Sequence, residues 1–176
     1  MKKTISLWQF AGFAFTSFVG TILHFLYDWT DESVFVAPFS AINESTWEHM
    51  KLLFFPLLLF ALIESRFLRK NVPNFWCVKW IGITAGLILI PVLFYTYNGV
   101  FGPSPDFVNI SIFFISAAFA YWLETKLFQK DFPVCRSAVI PIIALLFIAV
   151  LFIVFTFAPP QIPLFCDPES MLYGIR

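Results

Sequence analysis

Apolar residues in this chain are gathered into long runs that short polar segments separate. Five of these runs can form helices near the length of about 20 residues that a membrane span needs. The predicted helices cover residues 5–27, 43–67, 75–97, 107–128 and 138–157, and residues 158–176 follow as a tail. The pattern predicts an all-α bundle of five transmembrane helices that forms a single domain over residues 1–176.

The second run differs from the others because its continuous apolar part is only twelve residues long. Twelve helical residues extend about 18 Å, whereas the hydrocarbon core is about 30 Å thick. A spanning helix must therefore begin near Asn43 and carry polar side chains into the membrane, namely Glu44, Glu48, His49 and Lys51. Such groups have to face other protein groups or water, so this segment is the main functional signal in the sequence.

Composition supports a membrane protein. Hydrophobic residues make up 60% of the chain and charged residues 12%, and the mean hydropathy is +0.83. Soluble domains have about 45–50% apolar and about 25% charged residues. The lipid bilayer is therefore the expected partner, and nucleic-acid binding is not expected because the formal charge is zero and no block of basic residues is present.

The positions of Lys and Arg predict the orientation. Of the eleven such residues, only Lys51 and Arg176 fall on the side opposite to the N-terminus, so the positive-inside rule places the N-terminus inside and the C-terminus outside. Glu64, Lys79 and Glu124 are assigned to the inner ends of the helices. The first run exceeds the length of a signal-peptide core and is predicted to be a retained helix.

Polar side chains at the outer ends of the first four helices form the candidate site. The first two helices have a short connection and should pack antiparallel, which brings His24 towards the start of the second helix. Unpaired charges at this depth are costly, so they should pair with one another or with a ligand. The predicted ligand-binding residues are His24, Asp28, Glu44, Trp47, Glu48, His49, Lys51, Tyr95, Tyr97 and Asn109.

Two features frame this site. Either Asn43 caps the second helix, or Ser45 and Glu48 form a capping box. The tail has four prolines but several large apolar residues, and we predict that it folds over the outer face as a partial lid; the alternative is a loosely attached interfacial peptide.

Three functions remain open. The first is binding or transport of a small polar or cationic solute, with Glu44 and Glu48 as counter-charges. The second is an outer-leaflet enzyme in which His24 or His49 acts as a base with Glu48, or in which four side chains bind a metal ion: His24, Asp28, Glu48 and His49. No metal site is predicted, because Glu48 and His49 are adjacent rather than three or four residues apart, and no cofactor is indicated. The third is a structural or accessory membrane subunit.

The three cysteines, Cys77, Cys135 and Cys166, show no metal-ligand spacing. The topology places Cys166 outside and the other two inside, so no intramolecular disulfide is expected.

Three stretches together resemble an uncharacterised family of short bacterial multi-pass membrane proteins, known only as a domain of unknown function. They are Asn-Glu-Ser-Thr-Trp-Glu-His-Met-Lys at residues 43–51, Tyr-Thr-Tyr-Asn-Gly at residues 95–99, and the tail from Asp167 to Ile175. The resemblance spans nearly the whole chain and implies a bacterial cytoplasmic membrane location without an activity. It also implies an acid where this chain has Asn109, which weakens a metal or proton role for that position.

Overall fold

The computed structural model describes residues 2–70, 72, 74–130 and 137–175. The α-helices in this part of the chain are α1 Lys2–Trp29, α2 Thr46–Leu68, α3 Phe75–Phe101, α4 Asp106–Gln129 and α5 Val139–Phe157. A 3₁₀ helix over Pro163–Phe165 lies in the tail. The described residues contain no strand beyond an isolated antiparallel bridge between Cys166 and Tyr173. The prediction of an all-α fold is confirmed.

Four helices, α1, α3, α4 and α5, are long and apolar enough to cross a membrane. Helix α2 has 23 residues, which corresponds to about 34 Å, but it carries more charge than the other four. That α2 also crosses the membrane stays a prediction, as do the orientation of the termini and the single-domain organisation.

Helix α2 contacts each of the other four helices. Its neighbours α1 and α3 both pack against α4 as well, and α5 packs against α2 and α3. Successive helices run in opposite directions, so the C-termini of α1, α3 and α5 lie at the same end as the N-termini of α2 and α4. We call this the tail end of the bundle, because residues 158–175 follow α5 there, and we call the other the far end.

Glycines allow α1 to approach its neighbours closely. An added Cβ at Gly12 would lie 2.4 Å from the ring of Tyr121 and 2.6 Å from that of Phe60. At Gly20 it would lie 2.6 Å from the ring of Phe113. Small residues at such crossings are typical of helix packing in membranes, where van der Waals contact rather than the hydrophobic effect drives association.

Helix α2 begins at Thr46 rather than near Asn43. The Ser45 hydroxyl accepts the backbone N–H of Glu48 at 3.4 Å and so caps the helix. Asn43 lies one turn earlier, and its side-chain oxygen accepts the backbone N–H of Ser45 at 3.0 Å. The Ser45 half of the predicted capping box is present, but the reciprocal bond to Glu48 is not, because the Ser45 N–H is donated to Asn43. The Glu48 carboxylate accepts the N–H of Ile42 at 3.1 Å, which satisfies another backbone donor next to the helix start.

The tail packs back onto α2. Phe165 is buried, and its ring centroid lies 4.6 Å from that of Trp47. The Asn43 side-chain amide donates to the carbonyl oxygen of Gly174 at 3.4 Å. These contacts hold the tail against the start of α2, as the apolar tail residues predicted.

The expectation that the cysteines form no disulfide was wrong for Cys77, which is disulfide-bonded. Cys166 is free, and Cys135 lies outside the described residues. Pairing depends on which segments the tertiary fold brings together, and spacing along the chain does not reveal that.

Candidate functional site

The polar residues at the start of α2 fall into two groups with different surroundings. Glu48 and Lys51 are 2% and 0% exposed and face the protein interior. The side chains of Glu44 and His49 are 43% and 21% exposed. Glu44 precedes α2, whereas the other three residues belong to the helix. The cluster predicted as one site is therefore divided into a buried ion pair and a group that borders open space.

The buried pair is closed by hydrogen bonds. The ammonium nitrogen of Lys51 lies 2.6 Å from Glu48 Oε2. It also donates to the carbonyl oxygen of Ala37 at 2.8 Å and to the Thr156 hydroxyl at 2.9 Å. An ammonium group has three donors, and these three acceptors use all of them. The pair carries no net charge and links α2 to the α1–α2 connection and to α5.

Trp47 lies beside this pair as a packing residue. Its ring centroid is 4.5 Å from that of Phe152, 5.6 Å from that of Phe155 and 4.6 Å from that of Phe165. Trp47 is 8% exposed. It joins α2 to α5 and the tail.

The second group places a carboxylate between two histidines. Glu44 Oε2 lies 3.4 Å from His49 Nε2, and Glu44 Oε1 lies 3.8 Å from His24 Nε2. The ring centroids of the two histidines are 5.7 Å apart. His49 Nδ1 lies 3.0 Å from the carbonyl oxygen of Ser45. This contact favours a proton on Nδ1 and directs Nε2 towards Glu44.

Two adjoining cavities open beside these histidines, with volumes of about 220 and 470 Å³. We call them together the tail-end cavity. The smaller one lies between α2, α3 and α4, and the larger one lies between α1, α2 and α4. The residues lining both of them are Glu44, His49, Asp106, Asn109, Phe113 and Glu169. Among the described residues, the lining contains three acids and two histidines but no Lys or Arg.

Only some of the predicted residues reach this cavity. His24, Glu44, His49 and Asn109 line it, and the amide oxygen of Asn109 accepts a hydrogen bond from Ser104 at 2.7 Å. The other six predicted residues are not part of its lining: Asp28, Trp47, Glu48, Lys51, Tyr95 and Tyr97.

Sequence reasoning missed several residues that do line the cavity. Helix α3 contributes Phe94 and Asn98, which lie next to the predicted tyrosines on a different face. Asp106 and Glu169 add two carboxylates. The polar ends of the third and fourth predicted helices were a usable signal for Asn98 and Asp106. No sequence signal pointed to Glu169, because its place in the lining depends on the path of the tail.

A second polar cluster lies near the far end and joins four helices. Lys79 of α3 contacts the carboxylate of Glu64 of α2, and its nitrogen lies 2.6 Å from Glu124 Oε2 of α4. Gln9 of α1 donates to Glu64 Oε1 at 2.6 Å. Glu64, Lys79 and Glu124 are at most 1% exposed. We call these three residues the far-end triad; the sequence pattern assigned them to the inner helix ends but gave no sign that they meet.

Aromatic rings and a glycine surround the triad. The Lys79 ammonium nitrogen lies 5.3 Å from the ring centroid of Tyr121 and 5.8 Å from that of Phe128, distances typical of cation–π contacts. An added Cβ at Gly82 would lie 2.3 Å from Glu124 Cγ. Gly82 therefore provides the space that the Glu124 side chain occupies.

Metal binding was one of the alternatives for the tail end. Within the described residues, no three His, Cys, Asp or Glu side chains are grouped so that they could hold a metal ion. The arrangement of His24, Glu44 and His49 is instead a carboxylate flanked by two imidazoles at the edge of a cavity. Such a group can accept and donate hydrogen bonds, exchange protons and balance a positive charge.

The fold and the site define the class of protein: an all-α protein with long apolar helices expected of a multi-pass membrane protein and a polar cavity at one end. The chain belongs to a family described as a family of unknown function, DUF6512, whose model matches residues 1–175. The predicted resemblance to a family of unknown function is confirmed. Neither curated proteins nor solved structures gave a significant match to the chain.

Proposed function

We propose that this protein is a multi-pass protein of the bacterial cytoplasmic membrane that binds a small cationic solute in the tail-end cavity. Binding would be its function or the first step of transport. The observation that carries the proposal is the charge of the lining. Within the part of the chain that the structure describes, the lining residues include the carboxylates of Glu44, Asp106 and Glu169 and no Lys or Arg.

The distribution of exposed charge supports an orientation with the tail end outside. The exposed basic residues in the described part of the chain all belong to the far end: Lys2, Lys3, Arg66, Arg69, Lys70, Lys126 and Lys130. The exposed acidic residues in that part all belong to the tail end: Asp28, Asp31, Glu32, Glu44, Asp106 and Glu169. By the positive-inside rule, the far end then faces the cytoplasm and the cavity faces the outside.

Electrostatics at the cavity favours a cation over an anion. Carboxylates clustered in a cleft with apolar walls raise the local concentration of positively charged solutes and repel negative ones. Glu44 is the best-placed counter-charge, because it lines both parts of the cavity. Its ion-pair partners among residues 2–70, 72, 74–130 and 137–175 are the two imidazoles at 3.4 and 3.8 Å, with no Lys or Arg that a ligand would need to displace.

The apolar walls favour an organic cation over an inorganic ion. The larger part of the cavity is lined by Phe25, Leu52, Ile110, Phe113 and Phe114 as well as by the polar groups. An amine with a short alkyl group can place its charge near Glu44 and its alkyl group against these side chains. The phenylalanine rings can also attract the cation through their negative faces.

Binding can be tested with alkylammonium ions on the purified protein in detergent. We expect tetramethylammonium and butylammonium to raise the thermal unfolding temperature and to give a saturable calorimetric signal. Butanoate, which has the same alkyl group and the opposite charge, should do neither. Because a hydrogen bond to a charged group contributes about 1.5–3 kcal/mol, Glu44→Gln should weaken the binding of butylammonium, which has N–H donors, about 10- to 100-fold.

The matched control is Asp28→Asn, which removes an exposed acid at the same end that does not line the cavity. It should bind as tightly as the wild type. Equal binding of butanoate and butylammonium, or equal weakening by Asp28→Asn and Glu44→Gln, would overturn the proposal, since either result means that the lining charge does not select the ligand.

A second function is favoured by the geometry of His49. Its Nδ1 contacts the Ser45 carbonyl while Nε2 faces Glu44, and a fixed imidazole of this kind can act as a general base. An outer-leaflet hydrolase acting on amine-containing esters would use this arrangement. Incubation with acetylcholine, followed by NMR detection of acetate, tests it: activity should vanish in His49→Gln, and no acetate release from the wild type counts against it.

A further inference from the structure

The far-end triad contains one more acid than base. Glu64 and Glu124 both contact the ammonium group of Lys79, and within the described residues neither carboxylate has another Lys, Arg or His within ion-pair distance. With all three groups ionised, the triad carries one net negative charge at a site that is at most 1% exposed. An uncompensated buried charge is costly, so the arrangement needs one more positive charge.

The contacts of the two carboxyl groups indicate which oxygen atom would take up that positive charge. Glu64 receives a hydrogen bond from Gln9 on Oε1, and its carboxylate also contacts Lys79. Glu124 contacts Lys79 through Oε2 only. Its other oxygen, Oε1, is buried and has no hydrogen-bond partner, although the residue is 0% exposed. A carboxylate oxygen without a donor is the atom most stabilised by gaining a proton.

Four helices, α1 to α4, place side chains around the triad. Helix α1 contributes Gln9 and α2 contributes Glu64. Helix α3 contributes Lys79, and α4 contributes Glu124 and Tyr121. The Tyr121 hydroxyl is hydrogen-bonded to Thr16 at 2.8 Å, away from the carboxylates. Among these groups only Lys79 is a cation, so the excess negative charge is a property of the whole cluster.

We infer that the far-end triad is a binding site for one exchangeable proton, carried by one of its two carboxyl groups. In this step hydronium gives a proton to Glu124 Oε1 and leaves as water, and the carboxylate becomes a neutral carboxylic acid. Lys79 stays protonated and pairs with the carboxylate that remains. The proton belongs to the pair of acids rather than to one residue, because removing either acid leaves a balanced pair with Lys79.

The site is distinct from the tail-end cavity and does not depend on the proposed ligand. Lys79 is the fifth residue of α3, about 6 Å from the far-end terminus of that helix. In the proposed orientation a proton would be exchanged with the cytoplasmic side. A buried group that gains and loses a proton within a membrane bundle is the chemical requirement for proton-coupled action.

Infrared spectroscopy of the full chain in lipid vesicles tests this inference. A protonated carboxyl group has a C=O stretching band, separate from that of a carboxylate, that shifts in D₂O. We expect the wild type at neutral pH to show the intensity of one such group per chain. Both Glu124→Gln and Glu64→Gln should lose this band completely, because each variant leaves a single carboxylate paired with Lys79.

The ion pair between Glu48 and Lys51 provides a matched control on the same protein. It has one acid for one base, so Glu48→Gln should leave the band unchanged. Absence of the band in the wild type would overturn the inference. So would its persistence in Glu64→Gln, because the proton would then belong to Glu124 alone. Loss of the band when sodium replaces choline in the buffer would also overturn it, since a metal cation would then be the ligand.

A pH titration of the wild type tests the inference even if the variants do not fold. Raising the pH should remove the band reversibly and convert its intensity into carboxylate absorption equal to one group per chain. If the protonated band does not decrease at any pH at which the helices remain folded, the proton is not exchangeable and the inference fails.

Discussion

The buried ion pair at the start of α2 gives the sharpest prediction about stability. Replacing Lys51 with Met keeps the size of the side chain but removes the ammonium group. Glu48 then loses its partner at 2.6 Å, while the Ala37 carbonyl and the Thr156 hydroxyl lose donors at 2.8 and 2.9 Å. These unpaired groups would lie in the protein interior, because Lys51 is 0% and Glu48 is 2% exposed.

The expected loss of stability is large. Breaking a buried pair by removing one partner costs about 3–5 kcal/mol, because an uncompensated charge is left inside the protein. For a chain of this size, each kcal/mol corresponds to roughly 2–4 °C in the unfolding midpoint. Lys51→Met should therefore lower the midpoint by roughly 6–20 °C, measured by circular dichroism in one detergent throughout.

A second substitution separates the unpaired charge from other effects. In the double variant Glu48→Gln with Lys51→Met, no charge remains, and the glutamine oxygen can still accept the N–H of Ile42. The cost should fall to about 1–3 kcal/mol, the range for the acceptors left without a donor. The double variant should thus be more stable than Lys51→Met alone, although it carries one more substitution.

Lys126→Met is the control, because Lys126 is exposed on α4 and has no ion pair among the described residues. It should change stability by no more than about 0.5 kcal/mol. The reasoning is refuted if Lys51→Met behaves like Lys126→Met. It is also refuted if the double variant loses as much stability as the single variant, since the unpaired Glu48 carboxylate would then not be the cause.

Three further changes should alter thermal stability in the same assay. Gly82→Ala should destabilise by about 1–3 kcal/mol, because its Cβ would lie 2.3 Å from Glu124; Gly99→Ala on the same helix, with nothing within 4 Å, should not destabilise. Ser45→Ala removes the cap of α2 and should cost about 1 kcal/mol; no loss would contradict the cap. Trp47→Ala should cost about 3–5 kcal/mol and make the tail more accessible to protease, and an unchanged cleavage rate would contradict its role in holding the tail.

Much of the fold could be predicted because lipid allows few solutions. A backbone without water must satisfy its hydrogen bonds within each segment, so long apolar runs become helices. The helix boundaries differ from the prediction mainly at the ends. Helix α3 extends to Phe101. Helix α2 begins at Thr46, where the Ser45 hydroxyl caps it by accepting the backbone N–H of Glu48.

The candidate site was predicted less completely. The short connection between the first two helices correctly predicted that His24 of α1 lies near the start of α2, and it is 3.8 Å from Glu44. Glu48 and Lys51 form an ion pair within α2, but the sequence could not say that this pair faces inward. That depends on α5 and the α1–α2 connection, which supply Thr156 and Ala37 from distant parts of the chain.

The sequence by itself determined the helices, the expected membrane environment and the excess of acids at the tail end. It could do so because the length of an apolar run and the charge of a segment are local properties of the chain. The tertiary structure alone decided which of those charges are buried. Glu64, Lys79 and Glu124 lie on three helices, and their meeting depends on helix rotation and on the space at Gly82. Periodicity along one segment does not specify how a helix is rotated against its neighbours, so neither the triad nor its excess negative charge could be found before the helices were packed.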